Sequence, residues 1–316
     1  MNSLKFPVIL LLSSCFLWGC GSNPAPTSPA PSAAATPTES YSFSLAFRVP
    51  RINGTNANVQ GLAAGNGAIY VVDNSDHAIE VFTPNGVSVT FLGAASLAAP
   101  YGLAFDGASG TLFVADGTKG AVELDQNGYA VTTMSPGAIT SPNNIALDPS
   151  GDFWLEGGTG TGNMVEKCTN AGGCGGVTLK LSLANASDNP FGVSVDNAGH
   201  VWVGDNNNFK MEEFDATTGN YLTAWGGPVT GSGPSTLTSA QFGSLSDSKA
   251  DSRGNLLVLD AGMKVVKLLD PTGNYLQNFT NTDQISGLTA PNYMYVDAQD
   301  NIYVGSGSYV SVFKRN

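Results

Sequence analysis

The chain has 316 residues, including 39 Gly and 17 Pro, and only 12% of its residues are charged. The formal net charge is −12, and the 13 Lys and Arg residues are scattered, so a nucleic-acid-binding surface is excluded as a main feature. Many turn residues and few charged ones argue against solvated helices and favour a closed all-β fold, which at this length forms a single domain.

Residues 1–19 have the organisation of a secretory signal peptide. Lys5 precedes an apolar run over residues 6–18, which is shorter than the roughly 20 residues that a membrane-spanning helix needs. The following Leu17-Trp18-Gly19-Cys20 resembles a bacterial lipobox, although Trp18 stands where a small residue is usual. We therefore expect a lipid on Cys20; the alternative is an ordinary cleaved signal peptide.

The composition of residues 20–40 predicts an extended or disordered tether. After Cys20 the segment contains Pro, Ala, Ser, Thr, Gly, Asn and one Glu, a composition that has almost nothing to bury. No Asp follows Cys20 to suggest retention at the inner membrane. The expected location is the bacterial cell envelope, with the chain anchored by its lipid at the outer membrane or on the periplasmic face.

From residue 41 onward one pattern recurs six times. A short apolar run ending in Asp is followed by a Gly-containing turn and a second apolar run with an acidic end, as in PYGLAFD (100–106) before TLFVAD (111–116). Two further strands follow in the first five copies, which makes four strands per repeat. Repeats of this length that consist of strands predict a β-propeller.

The ends of the chain complete the predicted ring. The last repeat has only three strands, and the alternating segment 41–49 lies unused at the other end of residues 41–316. Pairing that segment with the last repeat removes two exposed sheet edges. The prediction is a six-bladed propeller of four-stranded antiparallel blades, closed by strand 41–49.

The order Pro-x-Gly, alternating apolar residues, Asp and a turn Gly resembles the NHL repeat, as PFGVSVD (190–196) before HVWVGD (200–205) shows. The resemblance covers about residues 41–316 and implies the propeller fold. It implies little about activity, because one fold carries many functions.

The mouth of the propeller, where first strands begin and second-to-third-strand loops lie, is the expected ligand site. Aromatic and amide side chains there suit a peptide or glycan, and Tyr101, Phe191 and Tyr293 are expected to alternate around one rim. Asp247 and Lys249 replace the Gly and small residues of other copies. The candidate rim residues are Tyr101, Asn143, Asn144, Phe191, Asp247, Lys249, Asn292 and Tyr293.

Cys168 and Cys174 follow the signal peptide as the remaining cysteine pair, between the third and fourth strands of blade three. In an oxidising compartment they are expected to form a disulfide. In the same blade, Glu156 is taken as the acidic end of the second strand, equivalent to Asp116 of blade two, and is expected in the second-to-third-strand loop at the mouth.

The sequence leaves two functional hypotheses open. The first is a lipid-anchored binding module, monomeric and needing no cofactor, whose partner is a peptide, a glycan or an envelope protein. The alternative is a metal-dependent lactonase or lyase, because gluconolactonase-like propellers hold a divalent metal with Glu, Asn and Asp. Asn144 and Asp247 are the metal-ligand candidates under that alternative, and no matching Glu is apparent in blade one.

Overall fold

The computed structural model describes residues 40–51, 54, 56–134, 137–159, 163–170, 173–179, 190–230, 239–279 and 288–316. The predicted signal peptide, Cys20 and the tether up to residue 39 lie outside the described residues. The described part consists of 24 β-strands joined by turns, and no helix in it is long and apolar enough to cross a membrane.

The strands form six separate four-stranded antiparallel sheets, which confirms the predicted six-bladed propeller. Blade one contains β2 (Val59–Gly65), β3 (Ala68–Asp73), β4 (Ala78–Phe82) and β5 (Ser88–Leu92). Blade two contains β6 (Pro100–Asp106), β7 (Thr111–Asp116), β8 (Gly120–Leu124) and β9 (Ala130–Met134). Blade three contains β10 (Ser141–Leu147), β11 (Phe153–Gly158), β12 (Asn163–Thr169) and β13 (Gly173–Leu179). Blade four contains β14 (Pro190–Val195), β15 (His200–Asp205), β16 (Lys210–Asp215) and β17 (Tyr221–Gly226). Blade five contains β18 (Leu245–Ala250), β19 (Leu256–Asp260), β20 (Val265–Leu269) and β21 (Tyr275–Phe279). Blade six contains β22 (Pro291–Val296), β23 (Ile302–Ser306), β24 (Tyr309–Arg315) and β1 (Tyr41–Arg48).

Strand β1 closes the ring as predicted. It pairs antiparallel with β24, from Tyr41 opposite Arg315 to Arg48 opposite Tyr309. Its alternating apolar residues face inward, and the Phe47 ring lies 4.7 Å from the ring of Phe82 in blade one. The first strand of the chain therefore covers the outer edge of blade six and also contributes to the contact between the last and first blades.

The hydrophobic core is divided into six clusters, each between two neighbouring blades. Between blades two and three, for example, the rings of Phe113 and Phe153 lie 5.6 Å apart and both are fully buried. The second and third strands of a blade bury side chains on both faces, so β4 and β19, for example, are buried at every position. The first strands supply most of the lining of the central channel.

Aspartates at the turns between first and second strands hold those turns, as expected. Asp251 Oδ1 accepts hydrogen bonds from the backbone N–H groups of Arg253 and Asn255, at 2.9 and 2.8 Å. The same bond to the residue two positions further along is made by Asp106, Asp148, Asp196 and Asp297. These carboxylates are structural.

The predicted disulfide is present between Cys168 of β12 and Cys174 of β13, which are direct partners in the ladder. Among the described residues, the one close group of three His, Cys, Asp or Glu side chains is Glu166 with these two cysteines. Oxidised cysteines supply no thiolate, so this group is not a metal site.

Candidate functional site

One equivalent position on the first strands carries glycine in three blades and polar side chains in the other three. It lies two residues after the Pro, or its replacement, that pairs with the end of the second strand. Its six occupants, in blade order, are Gly61, Gly102, Asn144, Gly192, Asp247 and Tyr293. The three polar side chains are all buried. Side chains at this position therefore meet inside the channel.

Glu156 joins this group from the second strand of blade three. The ladder pairs Pro142 with Gly157, whereas Pro100 of blade two pairs with Asp116. Gly157, and not Glu156, is thus the equivalent of Asp116, and the expected loop role of Glu156 is wrong by one residue. Glu156 faces Asn144 across the ladder, at a position where the other blades carry Val, Ala, Gly or Leu.

Blade four leaves the space in which these groups meet. Asn144 Nδ2 in blade three donates a hydrogen bond to Asp247 Oδ1 in blade five, 3.3 Å away. Gly192 of the blade between them has no side chain, and a Cβ there would lie 3.0 Å from Asp247 Cα and 3.1 Å from its Oδ1. We call Asn144, Glu156, Asp247 and Tyr293 the polar layer.

Asp247 is the most heavily bonded member of the polar layer. Its Oδ1 accepts from Lys249 Nζ at 2.7 Å and from its neighbour's amide, Ser248 N, at 2.9 Å, and its Oδ2 accepts from Met294 N at 2.9 Å. Because the Lys249 ammonium is in direct contact, the Asp247 carboxylate has a compensating charge. Lys249 therefore lies inside the channel and not on the rim where it was expected.

Glu156 is the least satisfied member. Only 1% of its surface is exposed, and its Oε1 has no hydrogen-bond partner among the described residues. Burial, and secondly the negative charge of Asp247, raise the pKa of Glu156 to about 8. Near neutral pH this carboxyl is mostly protonated, so it is a neutral group that can both donate and accept a hydrogen bond.

Tyr293 crosses the channel. It is buried, and its hydroxyl from blade six lies 3.5 Å from the carbonyl oxygen of Asn143 in blade three, on the opposite side of the ring. Burial, followed by the charges of Glu156 and Asp247, raises the pKa of Tyr293. Later residues of the first strands, among them Ser194 and Lys249, line a cavity of about 200 Å³.

The remaining candidates surround the mouth. Tyr101, Asn143, Phe191 and Asn292 occupy one equivalent position and are half-buried; we call these four residues the rim. The expected alternation of Tyr101, Phe191 and Tyr293 around one rim does not occur. In the motif Pro-Asn-Tyr, Asn292 takes the rim position and Tyr293 takes the inner position that Gly102 holds in Pro-Tyr-Gly.

The aspartates that end second strands at the mouth are bound to loops. Asp116 accepts from the backbone N–H groups of Ala98, Ala99, Thr118 and Lys119. Asp260 does the same for Gly243, Ser244 and Met263. These carboxylates fix the mouth and are not available to a ligand.

The oxygen donors of the polar layer are of the type that divalent ions prefer, and Glu156 supplies the carboxylate that was not found in blade one. The surroundings fit a metal poorly, however. The Lys249 ammonium lies beside Asp247 Oδ1, where a metal ion would have to bind. Met294 N donates a hydrogen bond to Asp247 Oδ2. A divalent ion requires displacement of the ammonium group.

Comparison with known proteins gives a short sequence match and long structural ones. No protein-family model matches the chain. Over 122 residues, 36% of the chain, it is 29% identical to NHL repeat-containing protein 3 of Homo sapiens and 28% identical to that of Mus musculus. The match covers 33% of those proteins, so the chain matches about a third of their length.

Two solved structures illustrate the structural similarity. Virginiamycin B lyase from Staphylococcus aureus aligns with a TM-score of 0.60 at 12% identity, covering 87% of this chain and 99% of the lyase. The gluconolactonase XC5397 from Xanthomonas campestris aligns with a TM-score of 0.64 at 16% identity, covering 82% and 86%. Such identities show the fold alone. The chain is thus a six-bladed β-propeller whose repeats resemble the NHL repeat and match part of NHL repeat-containing protein 3.

Proposed function

We propose that the protein is a lipid-anchored binding module of the bacterial cell envelope that takes a neutral polar ligand at its channel mouth. The ligand class is a peptide or a glycan, free or presented by an envelope protein, and the binding unit is a monomer. The observation that supports this proposal best is the contact between Lys249 Nζ and Asp247 Oδ1 at 2.7 Å. It provides the channel with its own cation.

The charge balance of the channel favours neutral ligands. Asp247 is compensated by Lys249, and Glu156 is mostly protonated near neutral pH. The rim adds the aromatic faces of Tyr101 and Phe191 and the amides of Asn143 and Asn292. Aromatic faces and uncharged hydrogen-bonding groups together recognise peptides and sugars without an ionic contact.

The anchor is part of the proposal. A lipid on Cys20 and the tether ending at residue 40 attach the ring through β1, whose first residue pairs with Arg315. That end of β1 lies on the face of the turns between first and second strands, opposite the mouth. Mass spectrometry of the native N-terminus tests this part: a chain that begins at a lipid-modified Cys20 supports it, and a chain that begins elsewhere without lipid contradicts it.

Photo-crosslinking tests the binding face. The photoreactive residue p-benzoylphenylalanine replaces Asn292 on the rim in one variant and Asn197, exposed on the opposite face, in the control. Both are produced in the full-length exported protein and irradiated in intact cells. We expect a defined adduct from position 292 and none from position 197. Adducts from position 197 alone would overturn the assignment of the mouth.

A metal-dependent lactonase or lyase is the second candidate, supported by the convergence of Asn144, Glu156 and Asp247. D-gluconolactone hydrolysis by the purified protein, with added Ca²⁺ or Zn²⁺ and with chelator, separates the two functions. The binding-module proposal predicts no metal-stimulated turnover. Chelator-sensitive turnover that is lost in Glu156→Gln would establish the enzyme instead.

A further inference from the structure

The first hairpin of blade one differs from its five counterparts. Gly65 pairs with Ala68, so only Asn66 and Gly67 form the turn, and both have positive φ, 52° and 73°. Asn-Gly with this geometry is typical of the tight type I′ hairpin turn. In blade two, by contrast, Asp106 pairs with Thr111 across a four-residue turn that its carboxylate holds.

The short turn leaves a groove between blades one and six, on the face opposite the mouth. Its volume is about 460 Å³, within the usual range of roughly 300–1,000 Å³ for ligand sites. Asn66 and Asn85 line it from blade one, and Gln299 and Lys314 line it from blade six. Ala64 and Pro84 add apolar surface.

Four polar side chains at this groove are available to bind a ligand. Asn66, Asn85, Gln299 and Lys314 are exposed, and within the described part of the chain their side chains make no hydrogen bond or ion pair. The one carboxylate at the groove, Asp297, already accepts bonds from two backbone amides, an Asn side chain and a Tyr hydroxyl. The groove thus presents three amides and one ammonium on a chain whose net charge is −12.

We propose that this groove, which we call the seam groove, binds a short oligosaccharide. Sugar hydroxyls donate and accept hydrogen bonds, as the side-chain amides of Asn66, Asn85 and Gln299 do, and sugar C–H faces pack on small apolar surfaces such as Pro84. The absence of an uncommitted carboxylate among the groove's described residues disfavours a cationic ligand. This site is separate from the channel mouth, and its occupation does not depend on the proposed function there.

The test is an NMR titration of the ¹⁵N-labelled mature propeller with two probes, triacetylchitotriose and maltotriose. We expect at least one probe to shift the side-chain amide signals of Asn66, Asn85 and Gln299. The double variant Asn66→Gly with Asn85→Ala should weaken binding at least about tenfold. Glycine at 66 preserves the turn because it tolerates positive φ.

The control is Asn127→Ala, which removes the amide from the same turn position in blade two, outside the seam groove. It should bind as the unaltered protein does, and unchanged melting temperatures establish that all variants are folded. The proposal is overturned if neither probe shifts the groove amides, or if binding survives in the double variant. Shifts confined to Tyr101 and Asn143 would also overturn it, while supporting the channel mouth as a sugar site.

Discussion

Asn144 Nδ2 of blade three reaches Asp247 Oδ1 of blade five past the bare backbone of Gly192 in blade four, over 3.3 Å. The three residues occupy the same repeat position, so the glycine of one blade makes room for the polar side chains of its two neighbours. This contact joins blades that do not touch through their cores. It also makes Gly192 a residue on which the channel depends.

Gly192→Ala should therefore be more damaging than an ordinary glycine replacement in a turn. Both Gly192 and Gly199 have positive φ, 75° and 87°, which costs an L-residue about 1–2 kcal/mol. A Cβ at Gly199 meets nothing within 4 Å, whereas one at Gly192 meets Asp247. In urea unfolding, we expect Gly199→Ala to lower the free energy of unfolding by the conformational cost alone. Gly192→Ala should lower it by at least about twice as much. Equal losses would show that Asp247 moves away from the added Cβ at little energetic cost.

The protonation of Glu156 predicts how stability depends on pH. The folded state binds this proton with a pKa of about 8, against an ordinary value of 4.5. The stabilisation is therefore fully present below about pH 4.5 and is lost as pH rises through 8. Glu156→Gln cannot ionise and therefore does not undergo this loss. The free energy of unfolding of the variant, minus that of the unaltered protein, should rise between pH 5 and pH 9 by on the order of a few kcal/mol.

Chemical unfolding at several pH values measures this difference, with Glu123→Gln on a half-buried position of blade two as the control. The control should show no comparable gain. If the advantage of Glu156→Gln is constant across that pH range, the carboxyl is ionised in the folded protein.

Closure by β1 predicts unequal effects of two truncations. A chain that begins at Glu39 keeps β1 and should melt as the full mature protein does. A chain that begins at Arg51 loses the buried Tyr41 and Phe47 and exposes β24 as an edge. We expect aggregation, or a melting temperature lower by roughly 10 °C or more, in differential scanning calorimetry. Equal melting temperatures would place closure elsewhere.

The disulfide is expected to contribute modestly. Cys168 and Cys174 are six positions apart, and the entropy estimate for a longer, 15-residue loop is about 3 kcal/mol. Replacing both cysteines by Ala should lower the free energy of unfolding by less than that value. Crosslinking from position 292 should be unaffected, since the pair lies away from the mouth. A larger loss would indicate that the bridge organises blade three.

Repeats explain why the fold and ring closure were predictable while part of the site was not. Six copies in phase specify blades, and an unpaired strand at each end specifies closure. The ending Leu-Glu-Gly-Gly of β11 suggests a loop position for Glu156, and only the pairing of Pro142 with Gly157 shows which residue replaces the aspartate. Comparing Tyr293 with the Gly of Pro-Tyr-Gly would have placed it inside the channel. The convergence of residues from three blades depends on blade twist, which the spacing of repeats does not encode.

Binding of the ligand at the rim can be tested by removing the aromatic rings there. In the variant with p-benzoylphenylalanine at position 292, Tyr101 and Phe191 are both changed to Ala, and adduct yield is compared with that of the parent. A matched control changes Tyr129 and Val131, which are exposed on the outer strand region of blade two, to Ala. We expect unchanged melting temperatures for both variants and a several-fold lower adduct yield for the rim variant only. A folded rim variant that crosslinks as well as the control would contradict it.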